Sequence, residues 1–166
     1  MSQEVSKAPE IALRRMRETD LPMVVAIENV SFSNPWSEET FRGEIQNRPI
    51  SHPLVIVEGP SERVVGYVIY WQIQQDVQVN NIAVHPDLRG RGIGEAALRA
   101  ALALAVAAGA AFVTMEVRPS NTPALALYLK MGFQIMGTRK GYYTNPDEDA
   151  YFMGLALTDE RPASES

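Results

Sequence analysis

The chain has 166 residues, 46% of them apolar, which suits one compact domain with a core of its own. It holds no Cys, so disulfides, thiolate ligands and cysteine nucleophiles are excluded; its histidines, His52 and His85, each precede a proline and lack helical i, i+4 spacing, so no metal site is expected. A net charge of −5 and a pI near 5.1 argue against a polyanion-binding surface as the main business of the chain, and a basic macromolecular partner suits it better than nucleic acid.

Residues 1–10 and 158–166 are mostly polar and are expected to be disordered tails around one domain spanning residues 11–157. The start, MSQEVSKAPE, lacks the charged-then-apolar order of a secretory signal. The longest uncharged stretch, 100–115, is too short to cross a bilayer. A cytoplasmic protein that does not enter a membrane is expected.

IALRRMR, from Ile11, alternates apolar and basic residues at its start, as a half-buried strand does. Thr19 or Asp20 then caps a helix running to about Ser31, with Pro22 tolerated in its first turn and Val24, Ile27 and Val30 on one face. A second helix start follows at Pro35-Trp36-Ser37, where Ser37 and the acidic pair Glu38 and Glu39 suit the N-terminal dipole. LVIVE, VVGYVIYWQI and VQVNNIAV read as three strands of an antiparallel meander, separated by short polar turns. Gly94 to Val106 places Leu98, Leu102 and Val106 at helical spacing, and Gly109 sits where a C-terminal cap would. Ala111 to Val117 reads as a buried strand, Thr122 to Met131 as a helix stopped by Gly132, and FQIMGTRKGYY with DAYFMGLAL as a closing strand pair. The order is βααβββαβαββ, an α+β chain without internal repeats.

Two stretches could carry chemistry. The first runs from the strand Ile82-Ala83-Val84 through Arg89-Gly90-Arg91-Gly92-Ile93-Gly94 into a helix. Such a turn presents backbone amides at a helix N-terminus, where they and the helix dipole favour phosphate, and glycines let the backbone approach the anion. A plain glycine-rich turn is the alternative, although alternate glycines flanked by two arginines exceed what a turn needs. Gly92-x-Gly94-x-x-Ala97, with Glu116 at the end of the next strand, also fits a dinucleotide fingerprint. The spacing between Val84 and Gly92, the preceding meander and the lack of a second mononucleotide half weigh against it. The second stretch runs from Glu116 to Tyr128: an acid at a strand end, Asn121 at a helix entry and a tyrosine further along that helix. Read by residue type alone, Asn121 is a cap and Tyr128 a core residue.

Arg89-Gly90-Arg91-Gly92-Ile93-Gly94 resembles the R/Q-x-x-G-x-G/A pyrophosphate motif of the GNAT acetyltransferases. Glu116-Val117-Arg118 with Ser120-Asn121 and Leu127-Tyr128 is similar to the E-V-R-x-S-N-x-x-A-x-x-L-Y stretch of the bacterial ribosomal-protein alanine N-acetyltransferases, the RimI family. Pro35-Trp36-Ser37-Glu38, Arg139 to Tyr143 and Glu148-Asp149-Ala150 resemble further segments of that family, so the likeness covers residues 11–157. Asn34 departs from it, standing where an aromatic or apolar residue is usual.

The resemblance implies the GNAT fold: a mixed, mostly antiparallel sheet of about six or seven strands with about four helices, splayed between strands four and five. It implies acetyl-CoA as cosubstrate, its arm on Ile82, Ala83 and Val84 and on Asn121, and its pyrophosphate on Arg89 to Gly94. Glu116 matches the family's general base and Tyr128 the acid that protonates the departing thiolate. Trp36, Tyr142 and Tyr143 match the acceptor groove, with core or strand-edge packing as the alternative for each. The implied acceptor is a ribosomal protein's N-terminal amine; a lysine side chain, a small amine, or a coenzyme-binding module without catalysis are the alternatives. Nothing in the sequence bears on oligomeric state, between a monomer and a weak dimer.

Overall fold

The computed structural model describes residues 10–158; the ends assigned above to tails lie outside the described residues except for Glu10 and Thr158. The elements are β1 (Ile11–Arg15), α1 (Leu21–Ser31), α2 (Glu38–Gln46), β2 (Ser51–Glu58), β3 (Arg63–Ile73), β4 (Asp76–Val84), α3 (Ile93–Ala107), β5 (Phe112–Val117), α4 (Thr122–Lys130), β6 (Gln134–Tyr143) and β7 (Glu148–Ala156). This is the order read from the sequence, with short 3-10 turns added before α1 and α3. The strands form one sheet in the order β1-β2-β3-β4-β5-β7-β6. β1 pairs antiparallel with β2, β4 parallel with β5, and β7 antiparallel with both β5 and β6. The parallel ladder joins Asp76, Val77 and Gln78 to Phe112, Val113 and Thr114, while β4 runs on to Val84 and β5 to Val117.

The chain forms two compact units. One takes the residues up to Ile69 and Asn81–Ala101; the other takes Tyr70–Asn80 and the residues from Leu102 onward.

In the first unit the core is made by Met16, Leu21, Val24, Ile27, Phe41, Val55, Val57, Tyr67, Ile69 and Ala83, with Trp36 and Ile45 packed against it. Burying each large side chain contributes about 1.5–3 kcal/mol, so α1 and α2 are held mainly by this contact with the sheet. α1 starts with a proline in its first turn, and the Asp20 carboxylate before it accepts from the Arg17 N–H and pairs with Arg14. Ser37 caps α2 by accepting from the Thr40 N–H at 3.1 Å. The expected α1 face needs one correction: Val30 is 64% exposed. At about 100° per residue, Leu21, Val24, Ile27 and Glu28 share the inward face and Val30 points away from it.

α3 buries Ile93, Ala97, Leu98, Ala101, Leu102 and Ala105 along one stripe. Val106, expected in that stripe, is instead 37% exposed, because the small residues Ala101 and Ala105 carry the contact. Gly109, at φ 100, ends the helix with a hydrogen bond from the Ala110 N–H to the Ala105 carbonyl.

In the second unit Val113, Met115, Val117, Tyr128, Phe133 and Met153 are buried. β5, expected as a buried strand, is buried and half-buried in alternation with none of its residues exposed. Gly132, at φ 103, turns the chain from α4 into β6, and β7 inserts between β5 and β6. β6 is exposed along nearly its whole length, and Arg139 and Lys140 break up its outer face, as suits a sheet edge.

Candidate active site

In the first unit, β4 leads through His85 and a short 3-10 turn to Arg89-Gly90-Arg91-Gly92 and the start of α3. Gly90 and Gly92 have φ values of 78 and 79, the left-handed region that glycine enters without strain. A Cβ placed on either would meet no heavy atom within 4 Å, so the turn faces open space. The turn therefore has both features that the phosphate reading requires: backbone free to approach an anion, and a helix N-terminus behind it. Arg89 does not extend into that space. Its Nε donates to the Val84 carbonyl at 3.0 Å and its guanidinium to Ser31 Oγ at 2.7 Å, which ties the end of β4 to α1. Ile82 and Val84 are half-buried and Ala83 is buried.

The same unit holds a carboxylate that sequence reading missed. Glu28, 1% exposed, accepts at Oε1 from Tyr67 Oη at 2.5 Å and Asn81 Nδ2 at 2.9 Å, and at Oε2 from the Trp36 N–H at 2.9 Å. Burial, followed by the hydrogen bond to Glu28, pushes the Tyr67 phenol well above its ordinary range, so it stays a donor. Two signals were present in the sequence: an acid on the apolar face of α1, and an asparagine in step with Val77, Val79 and Ala83 on the buried side of β4. Trp36 stacks at 5.3 Å, tilted, against Phe41 and packs against the core, so its alternative role in packing is present.

In the second unit Glu116, near the end of β5, accepts at Oε2 from Arg139 Nε at 2.9 Å and is 11% exposed. Tyr128 on α4 is 6% exposed, packs at 5.8 Å on Phe133, and has its phenol pushed up to about 12 by burial. Asn121 caps α4 through Oδ1, which accepts from the Ala124 N–H at 3.3 Å and leaves its Nδ2 as the group to donate elsewhere. Tyr143 stacks edge-on against Tyr142 at 4.9 Å and lies under the Arg118 guanidinium at 4.3 Å. Burial, then the neighbouring Tyr142 and Glu116, raise the Tyr143 phenol, and burial raises that of Tyr142. Arg118 also donates to the Thr144 and Pro146 carbonyls and to Glu148, which in turn accepts from the Ser120 N–H and Oγ. The structure thus brings Glu116, Tyr142 and Tyr143 into one electrostatic neighbourhood, with Tyr128 acting on Tyr143. The Arg118–Glu148 clamp on the β6–β7 turn was not foreseen.

The acetyltransferase (GNAT) family pattern matches residues 21–133. The chain belongs to that family. As a GNAT enzyme it is an acetyl-CoA-dependent N-acetyltransferase, and its seven-stranded mixed sheet and four helices are those expected of the fold. Among its relatives, a Bacillus subtilis (strain 168) protein provisionally described as a [ribosomal protein bS18]-alanine N-acetyltransferase is 39% identical over 148 residues, covering 89% of this chain and 97% of the relative. The Escherichia coli (strain K12) [ribosomal protein bS18]-alanine N-acetyltransferase is 32% identical, covering 86% and 95%. The crystal structure of the ribosomal-protein-S18-alanine N-acetyltransferase from Escherichia coli superposes on this acetyltransferase with a TM-score of 0.82 at 29% identity, over 93% of this chain and 98% of that one. Among the described residues of the acetyltransferase no helix is long and apolar enough to cross a membrane, and no cluster of acids and histidines is arranged to hold a metal.

Proposed function

We propose that this GNAT enzyme moves the acetyl group of acetyl-CoA to the N-terminal α-amine of a protein, with the N-terminal alanine of ribosomal protein bS18 as its acceptor in the cytoplasm. The likeness to enzymes described by that activity, over nearly the whole length of both chains, carries the reading. Residues 11–157 serve as its catalytic domain.

Acetyl-CoA supplies an activated acetyl thioester. The Gly90–Gly94 turn fits its pyrophosphate, since a Cβ at Gly90 or Gly92 would enter open space and the amides at the start of α3 carry partial positive charge. Backbone groups of Ile82 to Val84 hold the coenzyme arm, and Asn121 donates to it from Nδ2. The Val84 N–H is offered to the oxygen on which negative charge develops during acyl transfer.

Glu116 Oε1 takes the proton of the amine, directly or through water, while Arg139 fixes Oε2. Magnitudes favour an α-amine as the acceptor. With a pKa of about 7.7–8.0 it costs about 1.4 kcal/mol or less to free at pH 7, against more than about 4 kcal/mol for a lysine near 10.4. Tyr128 returns a proton to the departing thiolate, a group near pKa 8.5 by analogy with cysteine. With its own pKa pushed up to about 12, the phenol keeps that proton at neutral pH. Trp36, Tyr142 and Tyr143 line the acceptor groove.

The test is acetyl transfer to peptides that differ only in the first residue, with a peptide carrying a lysine and a blocked N-terminus as the competitor. Preferential turnover of the Ala-starting peptide supports the reading. Modification of the lysine alone would replace it with a side-chain acetyltransferase.

A further inference from the structure

Glu28 is buried, accepts three hydrogen bonds, and is unused by the mechanism above. Its two carboxylate oxygens reach different parts of the chain. Oε1 holds Tyr67 on β3 and Asn81 on β4, the residue next to Ile82. Oε2 holds the main chain of Trp36 at the entry to α2. A helical turn further along α1, Ser31 Oγ donates to the Ile27 carbonyl and accepts from Arg89, whose Nε holds the Val84 carbonyl. The last turn of α1 therefore grips β4 at Asn81 and at Val84, on either side of Ile82 and Ala83. Gly66, beside Tyr67, completes the arrangement by letting β3 approach β4 so closely that a Cβ there would lie 2.5 Å from the Ala83 carbonyl oxygen.

We propose that Glu28 is a positioning residue that registers the acceptor side of the site against the coenzyme side, Oε2 setting Trp36 and Oε1 setting the strand before Ile82. This rests on the Nα-acetyltransferase reading, because it takes Trp36 as part of the acceptor groove and Ile82 to Val84 as the coenzyme strand. A buried carboxylate costs several kcal/mol in desolvation unless every lone pair facing protein is used. An apolar residue would fill the same volume at lower cost. Three donors from three separate elements on one carboxylate offset that cost and lock their relative placement, which an apolar contact does not do.

The two arms can be separated. In Glu28→Gln the amide oxygen goes to the pair of donors Tyr67 and Asn81, which leaves Nε2 facing the Trp36 N–H, donor against donor. The peptide KM should rise roughly tenfold, with the Kd for coenzyme A by calorimetry within about twofold of the parent. Asn81→Ala should do the converse, weakening coenzyme A by about fivefold and leaving the peptide KM in place. Thermal melts of both variants accompany the kinetics. A lowered Tm with both constants unmoved would make Glu28 a buried structural acid only and overturn the proposal, as would both variants shifting the same constant. If Glu28→Gln yields no folded protein, Asn81→Ala decides alone: an unchanged coenzyme Kd overturns the proposal. Should the parent enzyme refuse N-terminal peptides and accept another amine, the acceptor reading fails separately, and the KM of that amine takes the peptide's place in the same comparison.

Discussion

Arg139 on β6 reaches across β7 to Glu116 on β5, donating from Nε to Oε2 at 2.9 Å while its guanidinium lies 4.3 Å over the ring of Phe152, the residue opposite Glu116 in the β5–β7 ladder. The arginine holds one carboxylate oxygen and leaves the other for the base role proposed for Glu116. Arg139→Met keeps an unbranched stem on Phe152 and removes the donor. We expect kcat to fall about tenfold, because a base that samples several rotamers loses the orientation that proton transfer needs. Coenzyme binding should be unchanged. A parent-like kcat would remove Arg139 from the catalytic arrangement.

Tyr128→Phe keeps the ring against Phe133 and should bind coenzyme normally but turn over more slowly, since only the phenolic proton is lost. Full kcat in that variant would end the acid assignment. Its pH behaviour follows from burial, which lifts the phenol from about 10 to about 12. A raised folded-state pKa means that this group's stabilisation is complete below about pH 10 and is lost between about 10 and 12. Denaturant unfolding should therefore show a smaller loss of stability over that interval in the Phe variant than in the parent, since other raised phenols, Tyr67, Tyr142 and Tyr143 among them, contribute equally to both.

The element order and the glycine turn were legible because each depends on local rules: hydrophobic period, Ser37 and Asn121 as caps, and Gly109 and Gly132 as stops. The Glu116–Tyr128 block was read only through its resemblance to a family. What was not legible is long-range. Glu28 and Asn81 are 53 residues apart, and Arg118 and Glu148 are 30 apart, so no window of sequence contains either pair. Polar residues that satisfy each other across a core look, taken one at a time, like ordinary interruptions of an apolar pattern. The exposure of Val30 and Val106 has a different cause: a helix has more apolar positions than its buried stripe accommodates, and spacing alone does not choose among them.

Glu148 is the acid-sensitive point of the β6–β7 turn. Hydrogen bonds from Ser120 first, and then Arg118, hold its carboxyl below the usual glutamate range. A depressed folded-state pKa means that its stabilisation is present above about pH 4.3 and is lost as the pH falls through the depressed value. Glu148→Gln should flatten the acid limb of Tm against pH. It should also raise the peptide KM by roughly three- to tenfold, because Arg118 loses its carboxylate partner and is left to the Thr144 and Pro146 carbonyls to hold it over Tyr143. A flattened acid limb with an unmoved KM would separate the clamp from acceptor binding.

Two glycine substitutions distinguish space from backbone conformation around the residues proposed to hold the coenzyme. At Gly66 a Cβ would lie 2.5 Å from the Ala83 carbonyl oxygen, 2.9 Å from Ile56 Cδ1 and 3.2 Å from the Val84 Cα. The oxygen and the Cα are backbone and cannot rotate aside, so Gly66→Ala must push β3 off β4 at the residues assigned to the coenzyme arm. Overpacking of this kind costs about 1–3 kcal/mol, or roughly 2–12 °C in Tm for a chain of this size, and coenzyme affinity should fall with it. Gly92 is the opposite case: it has open space around it but a φ of 79. Gly92→Ala should cost about 1–2 kcal/mol in backbone strain, and the added methyl then stands where the phosphate is to approach. Coenzyme affinity should drop about tenfold or more while Tm moves by only a few degrees. If Gly92→Ala bound coenzyme A as tightly as the parent, the turn would not be its phosphate site, whatever Gly66→Ala did.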